Sequence, residues 1–178
     1  TRVAMAQREI GLAAGEPPTS RGYTPSVFTL LARLIERAGR FGNGSITAFY
    51  TVLMEGDDQQ DTLVDAVRAL LDGHIVLDRR LNMQNHFPPI SVLDSLSRLM
   101  TSVCAREHLD KARRLRKLLA SHAASEDLIR VGAYQKGLDP VLDRAVAVLP
   151  AINNFLEQET EKPAPFAETV AALMALPE

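Results

Sequence analysis

Tryptophan is missing from this chain, cysteine occurs once, and aromatic residues make up only 5% of the 178 residues. A single thiol, Cys104, excludes a disulfide framework within the chain and suits a reducing compartment. No catalytic signature surrounds it, so it reads as a small, partly buried side chain. Neither charge is in large excess: 20 Lys and Arg against 22 Asp and Glu leave a formal net charge of −2. That balance gives no global reason to expect nucleic acid or an anionic membrane as partner. No apolar run approaches the roughly 18 residues needed to span a bilayer. An initiator Met and a signal-peptide pattern are also missing; Thr1 leads straight into a helical pattern, as expected of a fragment. No G-x-x-x-x-G-K-[ST] phosphate loop is present, and Arg40-Phe41-Gly42-Asn43-Gly44 reads as a surface turn. His74, His86, His108 and His122 are scattered without ligand spacing, so no zinc site is expected.

What is present is ordinary globular composition, 46% hydrophobic and 24% charged. The first part alternates helix and strand. Val3 to Ala14 reads as a helix stopped by Gly15 and Pro17-Pro18. Thr24-Pro25 has the form of an N-cap with a first-turn proline, followed by Phe28, Leu31, Leu34 and Ile35 at helical spacing and a stop at Gly39. Ile46 to Met54 is β-rich and apolar at nearly every position, the pattern of a strand buried on both faces. Leu63, Val67, Leu70 and Leu71 form a helical stripe ended by Gly73, and His74 to Leu77 is a second short strand. This rhythm argues for a parallel sheet with crossover helices.

After Pro88-Pro89 the pattern turns helical. Leu109, Ala112, Leu115, Leu118 and Leu119 make an apolar stripe, with Lys111, Arg113, Arg114, Arg116 and Lys117 around it. Asp139-Pro140 is a second N-cap and first-turn proline, opening a helix through Phe155 in which Pro150 should kink the chain or mark a junction. Glu159 to Pro165 resembles a linker, and a last short helix runs to Leu176. The expected division is residues 1–101 as an α/β part and 102–178 as an all-helical part.

Few residues stand out chemically. Glu55-Gly56-Asp57-Asp58 closes a predicted strand, where ligands sit in parallel sheets; the two readings are a carboxylate site or a solvated turn. Arg98 is a lone charge in Ser95-Leu96-Ser97-Arg98-Leu99-Met100, and such an arginine is usually paired with something specific, a structural salt bridge included. The basic run from Lys111 to Lys117 reads as a solvated helix face or an acidic-partner surface; no aromatics interleave to stack bases.

Several segments, in order across essentially the whole chain, resemble the ATPases of flagellar and type III protein export, relatives of the rotary ATP synthase catalytic subunit. They are Arg2-Val3-Ala4-Met5-Ala6-Gln7-Arg8-Glu9-Ile10-Gly11-Leu12, Gly15-Glu16-Pro17-Pro18 with Gly22-Tyr23-Thr24-Pro25-Ser26-Val27-Phe28, and Gly44-Ser45-Ile46-Thr47-Ala48-Phe49-Tyr50-Thr51-Val52-Leu53 followed by Glu55-Gly56-Asp57-Asp58. Leu71-Asp72-Gly73-His74-Ile75-Val76-Leu77 follows, then Gly132-Ala133-Tyr134-Gln135-Lys136-Gly137 before Asp139-Pro140. The last motif separates the export branch from the rotary synthase.

The resemblance implies α/β plus all-α: the C-terminal half of a RecA-like P-loop ATPase domain followed by a helical C-terminal domain. The Walker A and Walker B elements would lie upstream of Thr1, so the fragment alone is expected to be inactive, with ATP and Mg as cofactors of the full-length parent only. Arg98 aligns with the arginine finger that reaches a neighbouring subunit's nucleotide, which implies a homohexamer. Arg2, just past the Walker B position, is implied as phosphate or Walker B support, and Phe155 as an adenine contact or else a core residue. Leu109 falls where the rotary relatives place an adenine-stacking tyrosine, a role leucine cannot fill. The helical domain, through Ala105–Arg130 and the Ala133–Gly137 loop, is implied to dock export chaperones, cargo, and stalk and regulatory proteins, and nucleic acid is not expected. The location implied is cytoplasmic, at the inner face of the bacterial membrane, with membrane association only through the assembly. The alternative is a non-catalytic binding module that docks chaperones or stalk protein without nucleotide.

Overall fold

A computed structural model describes residues 1–54 and 61–177, which form two compact units, Thr1–Asp72 and Gly73–Glu178. In the first unit, α1 (Arg2–Ala13) leads through a 3-10 turn (Ser20–Gly22) to α2 (Pro25–Ile35). The hairpin of β1 (Gly39–Phe41) and β2 (Gly44–Ile46) follows, and α3 (Thr62–Leu70) closes the unit. Proline at the first position of α2 presets the helical φ where no N–H is needed, with Thr24 as its N-cap residue. Asp61 caps α3 by accepting from Leu63 N at 2.8 Å and Val64 N at 3.3 Å. The helices bury Ala4, Val27, Leu31, Leu63 and Val67 with Tyr23 into one core. Full burial of a side chain of this size stabilises by about 1.5–3 kcal/mol.

The predicted strand from Ile46 to Met54 does not form. Strand β2 ends at Ile46, and residues 47–54 join no β-ladder among the described residues, although Thr1 hydrogen-bonds to Thr51 O and to Leu53. Burial instead alternates: Tyr50, Val52 and Met54 are half-buried, while Phe49, Thr51 and Leu53 are exposed. The Tyr50 hydroxyl donates to the Leu34 carbonyl at 3.1 Å, and Val52 packs on the core. β-rich composition favours extended backbone, but a strand also needs a neighbour's ladder groups, and here one face alone is covered. The expected carboxylate site at Glu55-Gly56-Asp57-Asp58 lies outside the described residues.

In the second unit, β3 (Gly73–Leu77) pairs with β4 (Ile90–Ser97), and α4 (Arg79–Met83) joins them. Then come α5 (Met100–Val103), α6 (Arg106–Ala124), α7 (Glu126–Arg130), α8 (Pro140–Leu156) and α9 (Phe166–Ala175). Both described sheets are two-stranded and antiparallel, so the parallel sheet expected from the β-α-β rhythm is not formed among the described residues. Strand β3 pairs downstream because α4 is a single short helix, capped by Asp78, which returns the chain directly to β4.

The second core lies between α6 and α8. Leu115, Val148 and Ile152 are buried there, with Leu118, Leu119 and Leu156 beside them and Leu173 and Leu176 of the α9 region against them. Asp139 caps α8 as the sequence indicates, accepting from Val141 N at 2.8 Å and Leu142 N at 3.1 Å. Helix α8 runs on through Pro150 rather than ending there. The buried residues Leu142, Ala145, Val148 and Ile152 recur at helical spacing on both sides of it, so one packed face holds the helix across the missing N–H. Nothing among the described residues is a helix long and apolar enough to cross a membrane.

Candidate functional site

The most developed polar arrangement surrounds the end of β4. The register pairs Gly73 with Ser97 and His74 with Leu96, then Val76 with Ser91 and Leu77 with Ile90. One residue of β3, Ile75, therefore stands opposite four of β4, Val92 to Ser95. Such a bulge takes backbone carbonyls out of the ladder, and each needs another partner. Arg116 of α6 supplies three: Nη1 donates to Val92 O at 2.6 Å and Ser95 O at 3.1 Å, and Nη2 donates to Leu93 O at 3.0 Å. His74 Nε2 lies 3.0 Å from Asp94 O, a hydrogen bond in the tautomer protonated there. Ser95 Oγ donates to Ser91 O at 2.6 Å and accepts from Val76 N at 3.0 Å, and Ser91 Oγ donates to the Asp94 carboxylate at 2.6 Å.

Arg98 is the first residue beyond this strand, on a bend between β4 and α5, and it is exposed. The sequence setting among apolar and small residues suggests a cost of burial for this charge; the bend instead turns the side chain to the surface, so no such cost arises. The strand end behind it is tightly seated. A Cβ at Gly73 would lie 2.5 Å from Leu96 O and 3.2 Å from Ser97 Cα, so only glycine lets β3 approach so closely.

Arg2 belongs to the other unit. It is exposed in the first turn of α1, at the rim of a groove of about 480 Å³ lined chiefly by apolar side chains that include Leu31, Leu34, Ile35 and Val52. Phe155, in the last turn of α8, and Leu109, in the first turn of α6, are both half-buried. Cys104 is half-buried and has a free thiol. The hairpin tip at Gly42-Asn43 is the surface turn expected, with Gly42 at a φ of 51°.

The basic run of α6 is not one solvated face. Lys111 is 3% exposed, and its ammonium donates to the Leu176 carbonyl after α9. Arg116 is turned onto β4, whereas Arg113, Arg114 and Lys117 are exposed. Two cations thus serve as internal clamps, and for Lys111 the position shows it: it is four residues before Leu115 and seven before Leu118, on the apolar stripe itself.

The candidate docking loop is also tied down. Tyr134 OH donates to Asp143 Oδ1 at 2.5 Å, and Gly137 N donates to Asp143 Oδ2 at 2.8 Å. The hydrogen bond to Asp143 holds the Tyr134 phenol above its ordinary range, helped by burial and by the charges of Asp143 and Asp139. Leu128, Val131 and Leu138 around this loop are exposed.

Among the described residues no group of three or more His, Cys, Asp or Glu is placed to hold a metal ion.

Comparison with known proteins shows the family and the fold. The family model for the ATP synthase alpha/beta family, nucleotide-binding domain, matches residues 1–97, and that for the T3SS EscN ATPase C-terminal domain matches residues 104–175. The flagellum-specific ATP synthase of Bacillus subtilis is 54% identical over 176 residues, 99% of this chain and 40% of that protein. A type 3 secretion system ATPase of Pseudomonas savastanoi pv. phaseolicola is 53% identical, over 99% of this chain and 39% of that protein. The assembled ATPase EscN from the enteropathogenic E. coli type III secretion system superposes with a TM-score of 0.93 at 46% identity, covering 97% of this chain and 42% of that one. EscN in complex with its central stalk EscO gives a TM-score of 0.86 at 44% identity, over 97% of this chain and 41% of that one. The chain therefore spans about 40% of the curated relatives' length. Its fold is part of a nucleotide-binding domain followed by a helical C-terminal domain, and the chain belongs to the ATP synthase alpha/beta family, in the branch of flagellar and type III secretion ATPases.

Proposed function

We propose that this chain is part of a ring-forming ATPase, a homohexamer, that energises flagellar or virulence protein export, and that residues 1–101 serve nucleotide chemistry while residues 102–178 serve docking. The observation that carries the reading is Arg98, exposed immediately after a strand whose irregular stretch and whose end are both held in place. A guanidinium suits the charge that redistributes on a γ-phosphate during transfer, and fingers of this kind are worth about 10³–10⁵ in rate. Arg98 acts in trans on a neighbouring subunit's ATP, Arg2 supports the phosphate or the Walker B aspartate, and Phe155 contacts adenine. Bound ATP and Mg would supply the reacting phosphate and its counter-charge in the full-length protein; this chain's own part is the Arg98 guanidinium, and without a P-loop of its own the chain alone is not expected to hydrolyse ATP. Support comes from the relatives named as ATP synthases and secretion ATPases and from the assembled state named for EscN. The setting we propose is the cytoplasmic face of the inner membrane, with membrane association through the assembly.

The deciding experiment replaces Arg98 by Ala in the full-length protein. Nucleotide binding should persist while turnover drops by orders of magnitude; turnover at the unaltered level would remove Arg98 from the mechanism.

A second reading is a binding module that docks export chaperones, cargo, or stalk and regulatory proteins without nucleotide. The exposed Leu128, Val131 and Leu138 around the Ala133–Gly137 loop favour it. It requires partner binding in nucleotide-free buffer, and no hydrolysis by the purified chain.

A further inference from the structure

We propose that Arg116, outside the nucleotide chemistry, is the positioning residue for Arg98; the inference rests on the proposed role of Arg98 and adds to it the device that aims the side chain. A four-residue excursion opposite a single residue of β3 takes Val92, Leu93 and Ser95 out of regular register, where their carbonyls call for donors from outside the ladder. The planar guanidinium of Arg116 meets all three at 2.6–3.1 Å. Only arginine presents several donors in one rigid fork; a lysine at this position reaches the same carbonyls as a single point charge.

The geometry then runs along the chain. Ser95, whose carbonyl Arg116 holds, is three residues before Arg98, about 10 Å of extended strand. Between them, the close approach of Gly73 to Leu96 O and Ser97 fixes the strand from the β3 side. Arg116 holds the irregular stretch and Gly73 holds the end, so Arg98 leaves the sheet at one place and in one direction. Bulges beside reactive sites commonly re-aim a side chain in this way. A reacting group must sit within about 0.5 Å of its productive position, so loosening the bulge should be felt at the phosphate although Arg116 does not touch it.

The test uses the assembled full-length ATPase and compares the wild type with Arg98→Ala, Arg116→Gln, Arg116→Lys and the double variant Arg98→Ala/Arg116→Gln. Arg116→Gln should assemble normally and lower kcat about 10–100-fold, the penalty of a small misplacement. Its KM for ATP should stay within about twofold, because the lost interaction belongs to the transition state. Arg116→Lys should fall between it and the wild type. The double variant should turn over at the rate of Arg98→Ala alone, since Arg116 acts through Arg98. Full turnover by Arg116→Gln in a protein that Arg98→Ala disables would overturn the positioning role and leave the role of Arg98 standing, as would a double variant in which the two losses multiply. Full turnover by Arg98→Ala would overturn both. Failure of both Arg116 variants to assemble would assign Arg116 to folding, against the proposal.

Discussion

The α-carbon of Gly11 in α1 lies against the side chain of Thr24, which is completely buried: a Cβ added at Gly11 would stand 2.4 Å from Thr24 Oγ1. Gly11 is therefore a contact residue in the last turn of α1. Alanine there gains up to about 1 kcal/mol of helix propensity. Overpacking opposes it by about 1–3 kcal/mol, so Gly11→Ala should be net destabilising in denaturant unfolding. Adding Thr24→Ala should recover part of the loss, because the two residues share one contact. Independent, additive losses would show that the clash is absorbed elsewhere.

Asp61 offers a cleaner test of a cap. It is buried, holds two amides of α3, and pairs with Arg21 at 3.4 Å. Asp61→Ala should lower stability by about 1–2 kcal/mol. Asp61→Asn keeps the cap and loses only the charge, so it should be the milder variant in the same unfolding assay.

The two faces of the basic run on α6 should separate by mutation. Lys111→Ala leaves the Leu176 carbonyl without its ammonium and removes a buried stem, a loss of about 1–3 kcal/mol. Amide exchange in α9 should quicken with it. Lys117→Ala, on the exposed side, should stay within about 0.5 kcal/mol of the parent. Equal effects would return Lys111 to the solvated face.

Alkaline pH should release the docking loop. The raised pKa of Tyr134 means that the neutral phenol is favoured when folded, so its contribution is complete below the ordinary tyrosine value of about 10 and is lost as pH rises through the higher folded value. Ultraviolet titration should show a late-ionising step that Tyr134→Phe removes, and that variant should speed proteolysis between Ala133 and Gly137.

Asp78 gives the opposite sign at the acid end. Burial tends to raise its pKa, but hydrogen bonds and charge from Arg80 prevail and hold it below the ordinary carboxylate range. Its contribution is present above about pH 4 and is lost as pH falls through the lower folded value. Stability measured against pH should fall less on the acid side for Asp78→Asn than for the parent.

The elements legible from sequence are those whose signal is local. Thr24-Pro25 and Asp139-Pro140 mark the starts of α2 and α8 because capping and first-turn proline depend on adjacent residues. Strand β4 is not legible in the sequence because its bulge breaks the period-2 alternation of Ile90, Val92, Leu93 and Leu96. The segment after Ile46 shows the reverse failure, since β-forming residues without paired neighbours give an irregular chain. At the candidate site, motif resemblance locates Arg98, but nothing local shows that Arg116, eighteen residues later, would turn from a basic run onto β4. Lys111 was more accessible, because its spacing to Leu115 and Leu118 places it on the apolar stripe despite its charge.

The bulge in β4 has a consequence for solubility. A two-stranded sheet has outer edges, and an edge with regularly spaced acceptors is a template for strand addition and aggregation. From Ser91 to Ser95 every carbonyl is engaged by Arg116, His74 or Ser95 itself, out of the spacing an incoming strand would require. The segment is thereby poorly suited to recruit a second copy by β-augmentation, whether or not the guanidinium also serves to aim Arg98.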